Sequence, residues 1–434
     1  MKTLLCWLAI LSMTLGANAP AQTNTSVASV LTLAAAQKLA LQNHPQIAAA
    51  NYRALAAQEV VKETRAGFFP VVNAFGNVVG AETEDARILA GGLNNPSIYD
   101  RVAGGLSVSL LITDFGRTAN LTASSKLQAQ AEMQNANATR EQVLLQVNVS
   151  YFGTLGAQAV LHVAQQTVAT RQLLLDQVSV LASNKLKSEL DVSFARVAVQ
   201  ESKLLLQKAQ NNADDAMTSL STALGYREPQ PFQLADSEEP FIAKTNDVSQ
   251  LVETALAGRP ELLSLRNEHA AAQKFAKAQR DARLPVVSAV GMIGDSPSHD
   301  PHLPDNYEVG GIQLSLPLFA GGLYTARQHE AELKAQSDSE LVRSLEDNIV
   351  RDVHIAWLNV NTALEQLRTT EQLVRNAAEA YDLAEARYKI GSSSIVELSE
   401  AQLSLTSAQI TDADARYNVL IQQANLNYQT GVLR

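Results

Sequence analysis

Arg65-Ala66-Gly67-Phe68-Phe69-Pro70-Val71-Val72 returns 215 residues later as Arg280-Asp281-Ala282-Arg283-Leu284-Pro285-Val286-Val287. The same offset carries His44-Pro45-Gln46-Ile47 onto Arg259-Pro260-Glu261-Leu262. Farther on, Gly105-Leu106-Ser107-Val108-Ser109-Leu110 matches Gly311-Ile312-Gln313-Leu314-Ser315-Leu316 at an offset of 206. That second offset holds to the end of the chain. It pairs Tyr151 with Trp357, Leu190-Asp191-Val192 with Val396-Glu397-Leu398, and Leu224-Gly225-Tyr226 with Thr430-Gly431-Val432. The drop from 215 to 206 means that one segment between the matched pieces is nine residues longer in the first copy, as surface loops allow. A unit of about 185–195 residues far exceeds any solenoid period, so the chain is two copies of one large unit folded together. The boundaries read as residues 32–226 and 248–432, joined by a linker over 227–247.

Lys2 followed by Leu4-Leu5-Cys6-Trp7-Leu8-Ala9-Ile10-Leu11, then small residues to Ala19-Pro20-Ala21, predicts a signal peptide over 1–21 and hence an exported protein. Cys6, the one cysteine, lies inside it, which removes disulfides, cysteine metal ligands and a cysteine nucleophile from the mature chain. No later stretch is apolar for the ~18 residues a membrane helix needs, whereas alternating barrel strands never look hydrophobic overall. A net charge of −10 with no Lys/Arg-rich face argues against nucleic acid as a partner. Aromatic residues make up only 5%, which suits long helices better than a thick aromatic core.

Proline is absent from Arg101 to Glu228 and again after Pro317. Arg117–Leu181 and Leu323–Ile390 can therefore each form one helix of about 65 residues, roughly 100 Å long. Val143, Val147, Tyr151 and Leu155, then Leu173, Leu174, Val178 and Leu181, make narrow apolar stripes, answered by Ile349, Val353, Trp357 and Val360 in the second copy. The interruptions Ser183–Ser188 and Gly391–Ser394 turn each long helix back into a hairpin, with Gly391 as a stop and Ser394 as an N-cap. In the first copy, which lacks that glycine, Asn184 is expected in the left-handed position.

Upstream of each hairpin the texture changes. Leu106, Val108, Leu110 and Ile112 alternate with Ser107 and Ser109, and Ile312, Leu314, Leu316 and Leu318 alternate with Gln313 and Ser315. This period of two fits transmembrane β-strands with apolar side chains toward lipid, and equally a pair of ordinary hairpins on a soluble sheet. Residues 71–80 and 286–294 supply weaker strands. Four strands cannot close a barrel and open edges are not tolerated in lipid, so a membrane sheet here requires several copies; three would give twelve strands. Pro70, Pro285 and Pro317 fall at strand–helix junctions, where proline breaks helix continuity and lets the chain bend.

A helix ending at Phe-Phe-Pro or Arg-Leu-Pro, a strand, a loop, a strand ending near Gly, a very long hairpin, and then the whole again: this order resembles the TolC-like outer-membrane efflux protein family. The resemblance runs from about Thr32 to Val432. Leu190–Arg196 and Ile395–Gln402 look like the family's segments after the two hairpin tips, Arg387–Gly391 like its tip approach, and Leu224-Gly225-Tyr226 like its repeat-closing turn. It implies a mainly α fold with a membrane β-barrel part: a homotrimer with a twelve-stranded barrel in the outer membrane of a Gram-negative bacterium, continued by an α-helical barrel across the periplasm. Such a protein is an exit duct serving a periplasmic adaptor and an inner-membrane pump or ABC exporter, in efflux or type I secretion, with outer-membrane lipid around it. It needs no cofactor and catalyses nothing. The competing expectation is a soluble periplasmic coiled-coil scaffold or adaptor.

By their spacing alone, Glu397 and Glu400 are a charged helix start favoured by the helix dipole. The resemblance implies that they form carboxylate rings at the pore constriction, that Asp191 latches neighbouring hairpins, and that Tyr388 is a gate tyrosine. The family's gate arginine is replaced by Ser393, leaving Lys185 or Lys187 as substitute cations. Ser298-His299-Asp300-Pro301-His302, with Asp305, reads as a solvated loop rather than a metal site. His162, His329 and His354 stand singly on helices, and no nucleotide-binding, hydrolase or zinc-protease motif is present.

Overall fold

The structure, a computed structural model, describes residues 30–79, 101–236, 247–298 and 304–433. The expectations placed on residues 1–21, on most of the linker and on His299, Asp300 and His302 lie outside the described residues.

The elements come in two matched sets. Helices α1 (Leu33–Asn43) and α2 (Pro45–Ala66), strands β1 (Val71–Val79) and β2 (Arg101–Thr113), and the hairpin α3 (Arg117–Ser183) and α4 (Glu189–Ala223) make the first. Helices α5 (Val248–Gly258) and α6 (Pro260–Asp281), strands β3 (Val286–Ser298) and β4 (Asn306–Ser315), and the hairpin α7 (Leu323–Lys389) and α8 (Ile395–Gln429) make the second. Every helix has the length of its counterpart: 11, 22, 67 and 35 residues. The break between α1 and α2 follows from Pro45, which holds the preceding residue out of helical geometry. His44 is extended at ψ 122° and caps α2, its Nδ1 accepting from the Gln46 amide at 3.3 Å. Arg259 before Pro260 adopts the same conformation.

The four strands form one antiparallel meander in the order β1-β2-β3-β4. Cross-strand pairs such as Val72↔Val108, Leu106↔Ile293 and Ala289↔Ile312 put Val72, Ala74, Leu106, Val108, Leu110, Ile293, Ile312 and Leu314 on one face. Asn73, Ser107, Ser109, Ser288, Gln313 and Ser315 occupy the other. The apolar face is open, with Val72 61% and Ile312 75% exposed. At Gly105 the strands approach so closely that a Cβ would fall on the Ile293 carbonyl, so only glycine fits there. Strand β4 stops at Ser315, leaving Leu316 and Leu318 beyond it where the alternation had placed them within it. Pro317 lacks an N–H for the ladder. Pro70 and Pro285 stand immediately before β1 and β3.

The helices span about 100 Å in α3 and α7 and about half that in α4 and α8. They pack as thin seams. Val143, Val147, Tyr151, Phe152 and Leu155 of α3 meet Leu220, Leu224, Ile47 and Leu420 in the largest cluster. Ile349 and Val353 meet Ala255 and Leu262 at the matching level of the second unit. Here the Tyr151 hydroxyl is shared between the Leu31 and Ala235 carbonyl oxygens, 2.8 Å from each, tying the segments before α1 and after α4 across the waist of α3. Farther along α3, Val178 is buried but Leu173 is 58% exposed. Leu173 and Leu174 are adjacent, about 100° apart on the helix, and cannot share one narrow seam.

Candidate functional site

Far from the sheet, the two hairpin turns lie side by side. Val178 of α3, Val192 of α4, Ala384 and Tyr388 of α7, and Ile395 and Leu398 of α8 form one apolar cluster. Each long helix ends in the same pair of bonds. Leu186 N–H donates to Leu181 O and Lys185 N–H to Ala182 O in the first turn; Ser392 N–H to Arg387 O and Gly391 N–H to Tyr388 O in the second. The left-handed residue is Lys185 (φ 61°), as Gly391 is (φ 78°). Asn184, expected there, sits at φ −88°, with its side-chain amide donating to Val180 O at 2.8 Å. The 206-residue offset explains this, because it sets Lys185, not Asn184, opposite Gly391.

Both return helices start from a serine cap. Ser188 Oγ accepts from the Asp191 amide at 3.1 Å, and the Asp191 carboxylate accepts from the Ser188 amide at 3.0 Å and its hydroxyl at 2.9 Å, a closed capping box. Ser394 Oγ accepts from the Glu397 amide at 3.2 Å. Asp191 and Glu397 thus hold the same third position of matching helices. The Glu397 carboxylate instead crosses the turn to Arg387, whose Nη1 donates to it at 2.8 Å. One turn on, Glu400 is exposed and has no polar partner among the described residues.

Tyr388 is buried, and its hydroxyl has no hydrogen-bond partner among the described residues. Burial, and secondarily the Asp191 charge, raise its pKa. Lys187 Nζ lies 4.1 Å from the centre of the Tyr388 ring. Of the two substitute cations, the structure therefore brings Lys187 onto the tyrosine, while Lys185 serves the turn. Among the described residues, Ser393 Oγ donates to the neighbouring Ser394 carbonyl, at 3.5 Å. The Arg387–Glu397 pair escaped the sequence reading, although opposite charges flanking a tight turn were a visible signal.

At the opposite end, the junctions between strands and helices expose Phe68, Phe69, Phe115 and Phe319, the last 91% exposed. Aromatic side chains in such a band suit a membrane–water interface. No described helix is long and apolar enough to cross a membrane. Among the described residues no group of acidic, histidine or cysteine side chains could hold a metal ion. Among the described residues, a sheet with one apolar face and two edge strands, continuous with helices of about 100 Å that end in a packed tip, has the build of a membrane-anchored channel protein.

Comparison with known proteins agrees. A family model for the outer membrane efflux protein matches residues 36–226 and 251–432, once over each unit. Outer membrane protein TolC of Salmonella enteritidis is 26% identical over 356 residues, covering 79% of this chain and 71% of the relative. Among solved structures, CusC superposes with a TM-score of 0.80 at 20% identity, covering 92% of both chains. A membrane protein from Pseudomonas aeruginosa superposes at 0.79 and 22% identity, covering 92% of this chain and 93% of that one. The chain belongs to the outer membrane efflux protein family. It is an outer-membrane channel of a Gram-negative bacterium, an exit duct for efflux, and not an enzyme.

Proposed function

We propose that three copies of this chain close one duct. Within it a periplasmic adaptor delivers substrates from an inner-membrane pump or ABC exporter to the exterior. The observation that carries this is the four-stranded sheet with an apolar face and free edges at β1 and β4. Unpaired backbone at those edges would cost several kcal/mol per group in lipid. With an even number of strands in a meander, β4 of one copy runs antiparallel to β1 of the next, so copies add without breaking the pattern. Three give twelve strands, an even count within the range of closed outer-membrane barrels. The repeats 32–226 and 248–432, with 227–247 between them, are then successive staves of one wall, bent at Pro70, Pro285 and Pro317 where sheet passes into helix.

The hairpin tips supply the gate. Tyr388 under Lys187, beside the Asp191 capping box, latches the two hairpins of one chain together. Glu400 offers an unpaired carboxylate to the bore, three per trimer, which favours cations there. Glu397 is committed to Arg387 and contributes less.

Envelope fractionation followed by light scattering in mild detergent, then conductance in planar bilayers, tests this function. The expected result is an outer-membrane trimer forming cation-preferring pores. A soluble periplasmic monomer sinks it.

A further inference from the structure

We propose that the pocket between α3, α4 and α8 binds a small amphipathic zwitterion, with its apolar body on α3, its ammonium at Asp414 and its acid group at Lys208. The site lies within a single chain and goes beyond the duct reading. The cavity holds about 450 Å³, in the range of small-molecule sites. Phe152, Gly153, Gly156 and Val160 of α3 form its floor, and Leu205 of α4 and Ile410 of α8 extend the apolar lining. The side chain of Tyr417 stands against Gly156.

Packing does not require the two glycines. A Cβ at Gly153 would meet nothing within 4 Å, and one at Gly156 would make ordinary contact with Tyr417 at 3.5 Å. Neither has the positive φ that reserves a position for glycine. Both nevertheless sit within a helix of 67 residues, which each weakens relative to alanine. The offset of 206 sets Asn359 and Thr362 at the same places in α7, so the second unit carries side chains where the first carries none. What the glycines of α3 supply is the open floor of the pocket.

The mouth carries one charge of each sign. Lys208 on α4 and Asp414 on α8 are counterparts under the same offset. One turn beyond them stand Asn212 and Asn418, also counterparts, whose amides line the pocket beside the charges. Lys208 and Asp414 are both exposed, and among the described residues neither has an ion-pair or hydrogen-bond partner, each other included. Burial at the pocket edge raises the Asp414 carboxyl above its ordinary value, a shift that an ammonium beside it would reverse. An apolar floor between an unpaired ammonium and an unpaired carboxylate matches a ligand with an apolar body and charges of both signs. A simple organic cation or anion would satisfy one wall and leave the other unpaired.

Calorimetric titration of the detergent-extracted full chain tests this at pH ~6.5, where an α-amino group is charged. The probes are phenylalanyl-phenylalanine, its N-acetyl derivative, which lacks the ammonium, and its C-terminal amide, which lacks the carboxylate. The dipeptide is expected to bind, and each derivative to bind about threefold or more weakly. Asp414→Asn should weaken the dipeptide and the amide but not the N-acetyl derivative; Lys208→Gln should weaken the dipeptide and the N-acetyl derivative but not the amide. Gly153→Leu fills the floor and should abolish binding while the protein melts no lower than wild type, because leucine favours the helix over glycine. Gly153→Asn, which installs the second unit's residue, repeats that test with a smaller side chain. Failure of the dipeptide to bind the wild type overturns the proposal, as does binding that survives both Gly153 variants. Either derivative matching the dipeptide overturns it too, because one wall would then suffice.

Discussion

If Lys187 holds the gate by lying on the Tyr388 ring, Lys187→Ala should leak. A lysine over a tyrosine at a partly exposed site contributes about 0.5–1 kcal/mol. With three such contacts moving as one ring, the closed state loses about 2 kcal/mol, and at ~1.4 kcal/mol per decade the closed-to-open ratio falls about 30-fold. A gate shut at roughly 100:1 would then stand near 3:1, a large change in open probability in planar-bilayer recordings. Lys187→Arg keeps a cation on the ring and should stay shut. Tyr388→Phe is the sharper control. The hydroxyl it removes is buried without a hydrogen-bond partner among the described residues, a burden of about 1–3 kcal/mol, so the variant should be as tight as the wild type or tighter. The opposite pattern, a leaking Tyr388→Phe beside a silent Lys187→Ala, would refute the ring contact and mean that the hydroxyl carries the latch through a neighbouring copy.

The two acidic positions of the second tip should separate cleanly. Glu400→Gln should weaken block of the pore by a multivalent cation at least tenfold, Glu397→Gln by about threefold or less, and equal effects would mean that Arg387 does not hold Glu397. Away from the pore, Tyr428 donates to Glu261 at 3.0 Å, and burial first, then the Glu261 charge, push its pKa up to about 12. A raised folded-state pKa means stability fully present below pH ~10 and lost as pH climbs toward ~12. The loss comes to about 1–2 kcal/mol once partial exposure is discounted. Thermal melts of detergent-extracted protein at pH 8 and pH 11 should show a smaller alkaline drop in Tyr428→Phe, and an unchanged drop counts against this assignment.

The periodic parts of the fold were legible and the local exceptions were not. Two long helices, two hairpin turns and four strands follow from proline-free stretches, 3.6-residue stripes and alternation, signals repeated over many residues and again in the second unit. What escaped depends on single contacts. Asn184 is the better left-handed residue by type, but the bonds closing α3 fix the position one residue later, and Lys185 accepts the strain. Leu316 and Leu318 continue the alternation, but Pro317 between them cannot join a ladder. Leu173 reads as core from its neighbours, yet the seam is one side chain wide. At the tip, the resemblance pointed to Tyr388, Asp191 and Lys185 or Lys187, and the structure sets Lys187 over the Tyr388 ring while the Asp191 carboxylate closes its own cap.

That division follows from the duplication. Asp191 and Glu397 are the same position in two copies, each third in a helix capped by serine. In the first copy the residue facing it across the turn, Leu181, offers no charge, and the shorter aspartate folds back to close its own cap. In the second that place is Arg387, and the longer glutamate reaches across to it. A carboxylate bound to guanidinium at 2.8 Å presents little net charge to a passing ion, whatever its place in the ring. Glu400 has lost its acidic counterpart altogether, since the first copy carries Phe194 there. Of Glu397 and Glu400, only Glu400 is therefore left without a partner among the described residues and available to the proposed bore. In the proposed trimer, the selectivity of the proposed constriction then rests on three Glu400 carboxylates.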